Sequence, residues 1–123
     1  MSIPQKAHTF LANVPDMVSN VSPFVRNHNA GFPAVVYSFA SDLFPSSTNE
    51  DAGPRLVRWN AMVLSRTLAE AETIGESIVA AARSTQTGGC PQRVIGVSRE
   101  FESAYDGERQ GIYIHMTEME FFA

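Results

Sequence analysis

The chain has 123 residues, 44% of them apolar and 18% charged, with eight Phe, one Trp and three Tyr; this supports one globular domain with a sizeable core and excludes an intrinsically disordered chain. The net charge is −4: residues 1–62 balance Lys6, Arg26, Arg55 and Arg58 against Asp16, Asp42, Glu50 and Asp51, while residues 63–123 set five arginines against nine acids and supply the whole surplus. No basic cluster is present to release counterions from nucleic acid, no window reaches the ~18 apolar residues of a membrane span, and one cysteine, Cys90, excludes an intramolecular disulfide framework.

The first residues lack the apolar run of a signal peptide, and with a lone cysteine the expectation is a reducing compartment. Residues 5–20 hold Phe10, Leu11, Val14, Met17 and Val18 at helical spacing. Pro15 interrupts the pattern and Asn13 weakens it, so one or two short helical turns are expected, packed on a later sheet. Val21 to Gly31 reads as a loop. Pro33, which cannot donate to a ladder, then opens a strand in which Val35, Tyr37 and Phe39 alternate with Val36 and Ser38. Ser41 to Gly53 reads as a long polar loop containing an apolar pair, Leu43 and Phe44. A loop of that length suits either a self-packed tuck or a binding arm.

The central unit runs from Arg55 to Arg83. Its first part alternates: Val57, Trp59, Ala61 and Val63 fall on one face, and Arg58, Asn60, Met62 and Leu64 on the other. The apolar set is expected to face the core. Thr67-Leu68-Ala69-Glu70 is a capping box: Thr67 accepts from the Glu70 N–H and Glu70 reaches back, worth about 1 kcal/mol. Beyond it, Leu68, Ala71, Ile74 or Gly75, Ile78 and Ala81 or Ala82 form one helical stripe. The early glutamates and late Arg83 suit the helix dipole.

Ser84 to Pro91 reads as a loop. Arg93 to Tyr105 places Ile95, Val97, Phe101 and Tyr105 against Gly96, Ser98, Glu100 and Glu102, which is strand patterning. Asp106-Gly107 marks a hairpin turn. In the last strand, Ile112 to Phe122, Tyr113, His115, Thr117, Met119 and Phe121 share a face. The expected fold is a single α+β domain: a four-stranded, mainly antiparallel sheet with one long helix and a short N-terminal helix on one face. Residues 1–31 form the N-terminal helical segment and loop, and residues 32–123 the sheet and main helix. The face away from the helices carries Met62, Leu64, Ile114 and Met116, which a one-layer sheet usually hides against another subunit.

Motifs for chemistry are weak. His8, His28 and His115 lack metal-ligand spacing with one another and with Cys90, and His115 reads as a packed or interface histidine. Cys90 has no base nearby in sequence. Gly96-Val97-Ser98 starts like a nucleophile elbow but lacks the second glycine and the following helix. Gly88-Gly89 lacks the spacing and Lys of a phosphate loop. Glu118 and Glu120 share a strand face and suit a solvated or channel-facing stripe better than a hydrolytic pair. No catalytic residue, cofactor or metal site is assigned, and no enzyme is expected. The candidate partner contacts are Asp42, Leu43, Phe44, Met62, Leu64, Ile114 and Met116.

The order and spacing of Phe32-Pro33-Ala34-Val35-Val36-Tyr37, Val57 to Val63, Arg66-Thr67-Leu68-Ala69-Glu70-Ala71-Glu72, Glu100 to Gly107 and Met119-Glu120-Phe121-Phe122 resemble the tail terminator and tail completion proteins of long-tailed bacteriophages. These are head-to-tail joining proteins related in fold to lambda's tail protein U. The likeness covers roughly residues 32–122; the N-terminal segment departs from it, because Pro15 breaks what is usually a longer helix. It implies a structural virion protein, assembled in the host cytoplasm and located at the head–tail junction. There it would form a homo-hexameric ring that caps the tail tube and meets the head connector, with DNA passing through its lumen; their shared strand face makes Glu118 and Glu120 the expected lumen-facing residues. The alternatives are a head-completion adaptor, a minor tail protein, or a small cytoplasmic oligomeric enzyme or ligand-binding domain.

Overall fold

The structure, a computed structural model, describes residues 3–15, 17–24, 31–43, 56–84, 92–102 and 111–122. Two helices and five strands follow in the order α1 (Ile3–Ala12), β1 (Val21–Pro23), β2 (Ala34–Leu43), β3 (Leu56–Ser65), α2 (Leu68–Arg83), β4 (Arg93–Glu102) and β5 (Ile112–Phe122). The strands form one mixed sheet in the order β1-β2-β3-β5-β4. All neighbours are antiparallel except β1 and β2, which run parallel.

The α+β class stands, but the sheet has five strands and not the expected four, the extra one lying in the stretch from Val21 whose sequence reads as a loop. β1 has three residues and ends on a proline, too short for periodicity to register. It is held by long-range bonds: the Val35 N–H donates to the Asn20 carbonyl and the Phe24 N–H to the Tyr37 carbonyl, each at 2.8 Å. β2 also runs on to Leu43, pairing Asp42 with Val57 and Leu43 with Leu56 after a register shift between Phe39 and Ser41. Asp42 and Leu43 are therefore strand residues and not loop residues. Phe44, the loop to Gly53, the Ser84–Pro91 loop beyond Ser84 and the Asp106-Gly107 turn lie outside the described residues.

The core lies between the sheet and both helices. Val57, Trp59, Ala61 and Val63 are buried, as their alternation predicts, together with His115, Thr117, Met119 and Phe121 opposite them on β5. Trp59 is the centre. Phe10 of α1 meets it edge-on at 5.9 Å, Phe39 stacks at 6.3 Å, and Tyr37 and Phe121 complete the cluster; each such pair adds about 0.5–1.5 kcal/mol beyond area burial. Its indole N–H donates to Gln92 Oε1 at 2.8 Å inside the core. α1 stops at Ala12, ahead of Pro15. Phe10, Leu11 and Val14 are buried and Met17 and Val18 pack against the cluster, so the helical spacing picked the core residues beyond the helix itself.

In α2 the buried stripe is Ala71, Ile74, Gly75, Ile78, Val79, Ala81 and Ala82. Leu68, expected on it, is exposed: it occupies the first helical position, one turn ahead of where the buried stripe begins. The cap forms as expected at Thr67, whose hydroxyl accepts from the Glu70 N–H at 3.3 Å. The reciprocal arm differs. Buried Ser65 donates to Glu70 Oε1 at 2.6 Å and accepts from the Thr67 N–H at 3.2 Å. Ser65 thus relays the carboxylate to the N–H that Glu70 would otherwise reach directly.

On β4 the expected alternation fails at Ile95. A register shift between Val94 and Gly96 breaks the pattern there. Ile95, Val97 and Phe101 all remain exposed.

Candidate functional site

The face away from the helices is built in rows set by strand register. Ala34, Leu64, Ile114 and Glu100 form one row, and Val36, Met62, Met116 and Ser98 the next. The four apolar residues picked from sequence on this face, Met62, Leu64, Ile114 and Met116, therefore form one contiguous block. Ala34 and Val36 extend it; Val36 alternates on the same side in the sequence, but only the β2–β3 register shows that it abuts Met62. Ile114, Val36 and Ala34 are buried, and Met62, Leu64 and Met116 are half-buried. Asp42 and Leu43 lie at the other end of the β2–β3 pair, away from this block.

The next rows are polar. Ser38 donates to Asn60 Oδ1 at 2.9 Å, and Asn60 pairs in register with Glu118, which faces Gly96 on β4. The row beyond is charged: Glu120 lies between Arg58 and Arg93, with Oε2 3.3 Å from Arg58 Nε and Oε1 3.3 Å from Arg93 Nη1. Glu118 and Glu120 do share the face opposite the helices. They differ in environment: Glu118 is exposed, whereas Glu120 is buried beneath two arginines. A buried carboxylate needs such partners, and this one is charge-compensated and not a free acid. An open hollow of about 310 Å³ adjoins it, lined by Leu56, Gln92, Arg93, Glu120, Phe121 and Phe122.

A second cluster sits under α2, and sequence spacing gave no sign of it. Glu72 and Glu76, one turn apart on the helix, overhang His115 of β5. Arg99, the cross-strand neighbour of His115 on β4, reaches up to both carboxylates. Its Nε and Nη2 donate to the two oxygens of Glu72, and Nη2 lies 3.4 Å from Glu76 Oε1. The Arg99 hydrogen bond holds the Glu72 carboxyl below its usual range, and the same bond raises Arg99. His115 is 1% exposed and neither ring nitrogen has a hydrogen-bond partner. Its Nε2 stands 3.8 Å from Glu76 Oε1. Gly75 makes room for the ring, because a Cβ at that position would overlap the imidazole. That accommodation costs about 0.5–1 kcal/mol of helix stability relative to alanine.

Elsewhere, His8 Nδ1 lies 3.3 Å from the Tyr37 hydroxyl, and burial raises the Tyr37 phenol. Among the described residues no helix is long and apolar enough to cross a membrane. No protein-family model matches the chain, and no curated protein matches it.

Proposed function

We propose that the chain is a structural ring subunit of the tail-terminator kind, self-associating at the head–tail junction of a long-tailed bacteriophage. The observation that carries this reading is the one-sided architecture. Both helices bury one face of the sheet, the opposite face holds the apolar block of Met62, Leu64, Ile114 and Met116, and the sheet ends in a ten-residue edge strand, β4, with Ile95, Val97 and Phe101 exposed. An edge strand with exposed apolar side chains is a surface that a second copy can cover. The element order of strand, strand, capped helix, strand, strand across β2 to β5 is the order that the resemblance requires.

In the ring, β4 and the apolar block meet neighbouring copies, and Asp42, Leu43 and Phe44 are the proposed contacts to a neighbouring ring or subunit. Exposed Glu118 borders the lumen. The Arg58–Glu120–Arg93 row, charge-compensated in the subunit, fixes the end of β5. The surplus of acid over base repels the DNA backbone, so the duplex passes without being gripped.

Electron microscopy of the purified protein tests the proposal. Annular particles with a central opening wide enough for duplex DNA are expected. Featureless monomers at every concentration, with no association to tail tubes, would remove the ring reading.

A further inference from the structure

We propose that Glu72, Glu76 and His115 form a binding site for a single divalent cation of the zinc and cobalt class, with Arg99 as the displaceable occupant. The site does not depend on the ring reading.

The donor set comes first. Glu72 and Glu76 are four residues apart on α2, so both carboxylates project from one helix face. The imidazole of His115 rises from β5 beneath them. One ligand atom from each residue lies within 4.8 Å of the other two. A cation about 2.1 Å from each donor needs them somewhat closer. The two glutamates supply that movement: Glu76 is mostly exposed and Glu72 partly so, while His115 is fixed.

The histidine provides the independent observation. A fully buried imidazole normally has hydrogen-bond partners, and neither nitrogen of this one has any. The nearest carboxylate oxygen to Nε2 stops at 3.8 Å, too far for a hydrogen bond. Nε2 therefore presents an unused lone pair to the space beneath two carboxylates when the ring proton sits on Nδ1. A Lewis-acidic cation satisfies that lone pair and both acids at once. One imidazole nitrogen with two carboxylate oxygens selects borderline metals over calcium or magnesium, which take oxygen alone. Three protein ligands leave a coordination position to water.

Arg99 is the counter-charge now in place. Its single positive charge meets two carboxylates, so one negative charge remains uncompensated, and a divalent cation supplies what the guanidinium lacks. The Arg99 side chain is about half exposed and can swing off β4 into solvent. Metal binding and the Arg99 bridge are thus mutually exclusive, which fixes the sign of the test.

Isothermal titration calorimetry of the full-length protein with zinc chloride, after chelator treatment, reads the affinity directly. Cobalt(II) absorption reads a nitrogen and oxygen ligand field. H115Q and, at the exposed position, E76Q each weaken binding by at least about tenfold. R99M tightens it, because it removes the competitor and leaves every ligand. Circular dichroism in chelator verifies that each variant is folded. If wild type binds no zinc, or H115Q and E76Q bind as wild type does, or R99M weakens binding, the proposal is overturned. The last two results would place the metal elsewhere or make Arg99 part of its support.

Discussion

β3 and β4 are both ten residues long and flank β5 on either side, yet their helix-side residues fare differently. On β3, Val57, Trp59, Ala61 and Val63 are at most 1% exposed; on β4, Val97 and Phe101 are 38% and 55% exposed. The cause is the placement of α2. Its apolar stripe shares the core with β3 and β5, and it reaches the far part of β4 through the charged bridge from Arg99 to Glu72 and Glu76. One flank of β5 is thus held by apolar contact under a helix. The other is left with apolar side chains in solvent at the end of the sheet. The first flank stabilises the fold; the second is the surface that the proposed ring would use.

Substitutions at the two flanks sharpen that contrast. Trp59→Ala removes the ring around which four other aromatics gather and the N–H that donates to Gln92 Oε1. A loss of about 3–5 kcal/mol in urea-induced unfolding is expected, a large part of the stability of a domain this size. Gly75→Ala drives a methyl group into the His115 ring. Overpacking outweighs the helix gain, and a net loss of about 1–2 kcal/mol is expected. In an H115A background the same change becomes neutral or stabilising, a coupling that thermal unfolding of the four variants would reveal. Ser65→Ala breaks the relay between Glu70 and the Thr67 N–H and costs about 1 kcal/mol. The double change Val97→Lys and Phe101→Lys on β4 costs about 0.5–1.5 kcal/mol, chiefly the Phe101–Tyr113 ring pair at 4.7 Å, and leaves the domain folded, while self-association measured by sedimentation is lost. If that pair instead unfolds the domain, β4 belongs with β3 and the contrast fails.

Legibility in the sequence follows the same division. Alternation of Val57, Trp59, Ala61 and Val63 and the stripe from Ala71 to Ala82 could be read because the helices cover one sheet face there, and a single burial period survives. The N-cap at Thr67 could be read because capping is local. β1 could not, since its strand character comes from pairing with β2 and not from its three residues. The bulge at Ile95 could not, because a one-residue slip leaves composition unchanged while reversing which side chains face the core. The cluster of Glu72, Glu76, Arg99 and His115 gathers one helix and two strands. Its members are up to 43 residues apart (Glu72 to His115), and only the β4–β5 register and the crossing of α2 bring them together. On the face opposite the helices, the apolar block could be anticipated from alternation, but the arginines on either side of Glu120 needed the strand order.

The central claim is that this sheet is completed by copies of itself. Native mass measurement of the purified full-length protein over a range of concentrations tests it most directly. A discrete closed oligomer, of six copies on the resemblance, which dissociates to folded monomers when Val97 and Phe101 become lysines, is the predicted result. A monomer at every concentration, unchanged by those substitutions, would contradict it.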